Sequence, residues 1–309
     1  MEENVKEEKK PLSKKRKAIY TGIGAGLITG GIFLGIFLAN LFTFNEMDYS
    51  GMDPVKMEDD YTAVIKRFHD SPTTDLNALK NSYKADELLA IARNKTESSE
   101  KLTVYGVGGV NAMGVTQDVR SALYKINDEY FSESLSKGLV SVSKRIYQTG
   151  DTGICYKGKL NDDGKTSVFE TTPLREYASK KEIEEHWGRS LDRTNIYILS
   201  SKTITSSEVS VVNGNLQISV TLDPVKSILR YIKQMVTVSD LAKPPVFKEV
   251  KNVYTINADM QFLKKRVDEI YDVASFGVTS HDTKGWVEES FDYDCNHIPT
   301  INENCAYPQ

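Results

Sequence analysis

VSVVNGNLQISVTL, residues Val209–Leu222, is the stretch that decides the fold class. Asn213-Gly214 supplies the two positive-φ positions of a tight type I′ turn. After it, Leu216, Ile218, Val220 and Leu222 point to one face, while Gln217, Ser219 and Thr221 point to the other. That alternation predicts a hairpin with one face buried and one wet.

Working outward, the same period of two extends back to Lys101. Turn signals at Asn127-Asp128, Thr149-Gly150-Asp151 and Asn161-Asp162-Asp163-Gly164 separate runs rich in Val, Ile, Tyr and Thr. Strands are expected at 101–111, 117–126, 129–134, 139–148, 153–160 and 165–171, in an antiparallel meander. Beyond the hairpin, a strand at 246–257, a short helix at 259–268 and strands at 270–278 and 285–293 are expected. Gly106-x-Gly108-Gly109 lacks the third glycine and the strand-to-helix setting of a dinucleotide site, so it reads as a bulge or bend.

Helices frame the sheet. Asp53-Pro54 opens one in which Tyr61, Val64, Ile65 and Phe68 share a face. Shorter pieces follow at 76–83 and 86–92, then a polar loop at 96–99. Ser179-x-x-Glu182 is a capping box for a helix through Trp187. Asp223-Pro224 caps another whose stripe is Ile228, Leu229, Ile232 and Val236.

Upstream lies a different kind of sequence. Ala18–Asn45 is twenty-eight residues without a charge, more than the roughly twenty that span a bilayer as a helix. It is too long, and ends too poorly at Ala39-Asn40-Leu41, for a cleaved signal peptide. No cysteine lies near it to carry a lipid. Residues 1–17 hold seven Lys/Arg, and the far flank reads Glu46, Asp48, Asp53, so the tail is expected in the cytoplasm and the rest outside. Gly22, Gly26 and Gly30, and then Gly31, Gly35 and Ala39, form two small-residue rows on which two such helices could pack. The expected organisation is a cytoplasmic tail (1–17), a transmembrane helix (18–45), an acidic stalk (46–53), N-terminal helices (54–95), the sheet with its packed helices (96–295) and an irregular tail (296–309).

Setting aside the tail's seven basic and four acidic residues leaves 32 basic and 39 acidic, a net charge of −7 outside. Such a surface does not suit nucleic acid. Of three cysteines, Cys295 and Cys305 are near neighbours and the expected disulfide; Cys155 is left over. Asp292, Asp294, Asn296 and Glu303 stand at positions 1, 3, 5 and 12 of a calcium loop. His297 replaces the required glycine, and the plainer reading is an acidic loop. Cys295-x-His297 with Cys305 is a weaker zinc pattern, and no other cofactor is expected.

No nucleophile motif stands out. The Ser-x-x-Lys pairs Ser98/Lys101, Ser134/Lys137 and Ser141/Lys144 lack the companion elements of penicillin-binding enzymes. The fold class expected is α+β: one N-terminal transmembrane helix, then a curved antiparallel sheet with helices packed on one face. In strand and helix order this resembles the curved half-barrels of bacterial envelope proteins that carry lipid or lipoprotein on the concave side, with no diagnostic motif to go with the likeness. The function expected is non-enzymatic: a membrane-anchored binding protein of a bacterial envelope, holding a lipid, hydrophobic or peptide ligand, or another envelope protein, against its sheet. The alternative is a single-pass scaffold subunit of a secretion or conjugation machine, homo-oligomeric through the glycine rows.

Overall fold

The computed structural model describes residues 47–112, 115–138, 141–161, 166–187, 191, 194–232, 243–275, 278–305 and 307. The apolar stretch 18–45, with Gly22, Gly26, Gly30, Gly31 and Gly35, lies outside them. Among the described residues no helix is long and apolar enough to cross a membrane.

Among the described residues, helices α1 (Pro54–Met57), α2 (Thr62–Asp70), α3 (Leu76–Ser82), α4 (Ala85–Glu97) and α5 (Lys180–Trp187) precede or interrupt the strands. The helix expected from Asp53 is two. Asp53 Oδ1 accepts the Val55 amide at 2.9 Å, but the turn it caps ends at Met57, and Asp60 Oδ1 receives the Thr62 amide where α2 begins. Asp75 caps α3 through Asn77 and Ala78, and Glu87 reaches back to the Lys84 amide at 2.8 Å at the start of α4. Ser179 Oγ accepts the Glu182 amide, as the capping box predicts.

Twelve strands form one sheet: β1 (Lys101–Ala112), β2 (Val115–Ile126), β3 (Glu129–Lys137), β4 (Val142–Thr149), β5 (Thr152–Leu160), β6 (Ser167–Phe169), β7 (Arg175–Tyr177), β8 (Ile204–Val212), β9 (Asn215–Leu222), β10 (Val246–Ile256), β11 (Phe262–Ser275) and β12 (Val278–Asp292). Their order is β6-β5-β4-β3-β2-β1-β12-β11-β10-β9-β8, with β7 beside β5. Two antiparallel meanders are thus fused where β1 pairs with β12, from Thr103↔Asp292 to Asn111↔Lys284. After β7 the chain must travel from one edge of the sheet to the other, which makes α5 and residues 191–203 a connector. The sheet is open, and register shifts at Phe247/Glu249, Tyr271/Val273 and Ile204/Ser206 bend its strands.

The hairpin is as expected: Asn213 and Gly214 have φ of 51° and 75°, and Leu216, Ile218, Val220 and Leu222 are all buried. They pack with Leu79, Leu88, Leu89 and Ile91 of α3 and α4 and with Val250, Tyr254 and Ile256 of β10. Burying each such aliphatic side chain contributes roughly 1.5–3 kcal/mol. Helix 259–268 is a correction. Asn257 Oδ1 accepts the Gln261 amide at 2.8 Å and Met260 has φ of 59°, a tight turn, and from Phe262 the chain is strand β11. Of the expected strand 270–278, the part to Ser275 is the end of β11 and Val278 opens β12, whose latter part is the strand expected at 285–293. The Asp223 cap holds through the Val225 and Lys226 amides, both at 2.9 Å, with helix from 229 to 232; Val236 lies outside the described residues.

The opposite face of β1–β5 carries a second, smaller cluster. Ala122, Tyr124 and Phe131 pack with Cys295 and Cys305, and Ile298 and Tyr307 close over them. The irregular tail is therefore a strap on the sheet. Beneath it Arg145 Nε meets Glu133 Oε2 at 2.5 Å, with both side chains 2% exposed. Arg145 also donates to the Ile301 carbonyl, and Tyr307 donates to Glu133 Oε1 at 2.8 Å.

Candidate functional site

The inner face of the sheet carries the main apolar core, and charged side chains meet at its centre. There, register brings Gly106 of β1, Glu289 of β12, Lys265 of β11 and Tyr254 of β10 into one row. Lys265 Nζ meets Glu289 Oε2 at 2.5 Å. From the connector side, the Thr194 carbonyl lies 3.4 Å from the same Nζ, and Tyr197 donates its hydroxyl to Glu269 Oε1. Thr194 is held in turn by Glu97 of α4, which accepts its amide at 2.9 Å. Burial pushes the Glu269 carboxyl up to about 7, and the bond from Tyr197 and the charge of Lys265 only partly offset it. Tyr197 is raised well above the usual phenol range, by burial first and by Glu269 second.

Beside this network lies a small cavity of about 50 Å³, lined by Val104, Leu123, Ser121, Ser132, Thr194 and Glu289. That is space for one or two waters or a small headgroup. Gly106 makes room for it, because a Cβ there would fall against Ser121 Oγ. The glycines of β1 are thus not a bulge: pairing with β2 and β12 runs through them without a shift. Gly109 serves the other face, where a Cβ would lie 3.1 Å from the Trp286 indole nitrogen. Gly106→Ala is expected to destabilise by about 1–3 kcal/mol in urea denaturation, as overpacking does; an unchanged midpoint would show that Ser121 can turn aside freely.

Asn195 Oδ1 and Asn252 Oδ1 are among the buried amide oxygens that have no hydrogen-bond partner among the described residues. Their Nδ2 atoms are used, donating to the Tyr197 carbonyl at 3.2 Å and to the Tyr254 hydroxyl at 2.9 Å. A larger depression of about 360 Å³ over β8–β10 is lined by Ser207, Glu208, Ser219, Thr221 and Lys251. It is an open surface feature of mixed polar and apolar lining, without the enclosure a small-molecule site needs.

Of the residues singled out in the sequence, Gly106 lies in the central row, as a strand glycine; none of the candidate metal or disulfide residues does. Asp292 Oδ1 accepts the Asp294 amide, Asn296 Oδ1 receives Lys101 Nζ at 2.7 Å, and Glu303 Oε2 pairs with His297 Nε2 at 3.0 Å. Three of the four residues of the calcium pattern thus turn their oxygens to separate partners, and no metal-binding group of three or more His, Cys, Asp or Glu occurs among the described residues. Sequence spacing had no means of fixing where this irregular segment folds back. Cys295 and Cys305 do come together in the outer cluster, but as free thiols, so the expected bridge is not part of this structure. Burial and the nearby Glu133 hold the Cys305 thiol well above its usual range. Cys155 is free and buried in β5. Lys265, Glu269, Glu289 and Tyr197 escaped sequence reasoning. The one available signal was a pair of charges four apart, which reads as a surface helix pair.

No protein-family model matches the chain, and no curated protein matches it. Among solved structures it is similar to the Mycobacterium tuberculosis lipoprotein LppX, at 13% identity over 70% of this chain and 98% of that one, with a TM-score of 0.35. LprF from Mycobacterium bovis gives 12% identity, 70% and 96% coverage and a TM-score of 0.33. A LolA-superfamily protein from Nitrosomonas europaea gives 12%, 71% and 96%, and 0.25. At these scores the likeness assigns neither a ligand nor a role.

Proposed function

We propose that this chain is an extracytoplasmic binding protein of the cell envelope, tethered by residues 18–45, that takes a hydrophobic ligand between the connector and the inner face of β1–β3, β11 and β12. The observation that carries the reading is the small recess beneath the connector, where Val104 and Leu123 stand beside the converging polar groups of Ser121, Ser132, Thr194 and Glu289. Its cover favours the same reading. Residues 194–197 meet the sheet through polar side-chain contacts to Lys265 and Glu269 rather than through strand pairing. A ligand headgroup can replace such contacts one by one. At about 50 Å³ the closed form holds no acyl chain, so the connector must lift to admit one.

Native mass spectrometry of residues 46–309, made in an oxidising host, tests this. A co-purifying hydrophobic mass is expected, and it should disappear in Ser132→Leu, which fills the cavity. Ligand-free spectra from the parent protein, with lipid added back and still no adduct, would sink the reading. The same spectra report whether Cys295 and Cys305 have lost two protons to a disulfide.

A further inference from the structure

The described chain begins at Met47, two residues after the apolar stretch ends, and it is fixed to the domain almost at once. The Tyr49 hydroxyl donates to the Pro245 carbonyl at 3.0 Å, and its ring packs on the main core. Asp59 Oδ2 accepts the Ser201 amide and hydroxyl at 2.8 and 2.6 Å. Lys202 Nζ reaches the Glu58 carbonyl at 2.8 Å, and Arg230 Nη2 pairs with Glu58 Oε1 at 2.9 Å. Ser201 and Lys202 stand just before β8 and Pro245 just before β10, and both strands start at the same end of the sheet.

Antiparallel order puts the connections β1–β2, β3–β4, β5–β6 and β11–β12 at that end too, with the tips at 126–129, 149–152 and 212–215 at the other. Four Cα–Cα steps separate Asn45 from Tyr49. Fully extended they span at most about 14 Å. Just after Tyr49, the described apolar residues Met52 and Val55 are 37% and 67% exposed. Val115, at the start of β2, is 40% exposed.

We infer that the end of the sheet where β2, β8, β10 and β12 begin faces the bilayer at close range and rests on a lipid surface. This rests on reading 18–45 as the anchor. The tether is too short and too soon pinned to let the domain turn over, so the hairpin tip at Asn213 is held away from the membrane by the length of the sheet.

The test uses the full chain in vesicles of phosphatidylcholine and phosphatidylglycerol, some lipids carrying a nitroxide on the headgroup. A bimane fluorophore is placed on Val115→Cys or on Asn213→Cys, the native cysteines being buried. Quenching several-fold stronger at 115 than at 213 is the expected result. Equal quenching, or stronger quenching at 213, would overturn the orientation. Release of the protein by alkaline carbonate would overturn it through the anchor. Ligand capture, read separately by native mass, is independent of either outcome.

Discussion

Replacing Arg145 with methionine is expected to lower the unfolding free energy by roughly 3–5 kcal/mol, the cost of leaving a buried charge without its partner. Arg145 and Glu133 are paired at 2.5 Å with 2% of each side chain exposed, so Glu133 has no water to turn to. The guanidinium also lies 4.2 Å from the centre of the Phe169 ring and donates to the Ile301 carbonyl, so it joins the sheet to the C-terminal strap. The expected consequence is a loosened strap as well as a lower urea midpoint. Hydrogen exchange at 295–305 should rise before global unfolding. Arg145→Met combined with Glu133→Leu should recover much of the loss, because removing both charges removes the desolvation penalty with the attraction. A single variant within about 1 kcal/mol of the parent would mean that Glu133 finds another partner or takes up a proton cheaply.

The second large effect is one of pH. Glu269 ionises near 4.5 in an unfolded chain and near 7 in the fold. Between those values the folded state binds more protons than the unfolded one, so stability falls as pH rises through the window and levels off above it. Glu269→Gln keeps an acceptor for the Tyr197 hydroxyl and removes the titration. It should be more stable than the parent at pH 8 by on the order of 3 kcal/mol, with little difference below pH 4.5. Urea denaturation at several pH values reads this directly. Parallel pH profiles for parent and variant would show that Glu269 ionises in the fold at the same pH as in the unfolded chain. Because the Tyr197–Glu269 contact is also part of the connector's hold on the sheet, ionisation of Glu269 near neutral pH bears on how readily the proposed site opens.

Much of this architecture could be read from residue patterns. Asn213-Gly214 between alternating runs fixes a hairpin because few other residues tolerate two consecutive positive φ values. The strands from 101 to 160, the capped helices and the strand at 246–256 follow from equally local rules: one wet face, one dry face, and a polar side chain at each helix start.

What the patterns did not carry is contact between distant segments. The pairing of β1 with β12 joins residues about 180 apart and has no local signature. The C-terminal segment reads as loose and polar, yet Cys295, Ile298, Cys305 and Tyr307 find the outer face of β1–β5 only once that face exists. Strand β11 was mistaken for a helix for a related reason. Its inward positions include Lys265 and Glu269, whose charges break the apolar alternation and, four apart, imitate a helical ion pair. Those two side chains are tolerable inside only because Glu289, Tyr197 and the Thr194 carbonyl arrive from elsewhere in the chain. Local propensity therefore determined the elements of this protein. Only the tertiary structure decided its centre, because a buried charge is stable only beside partners that the sequence holds far away.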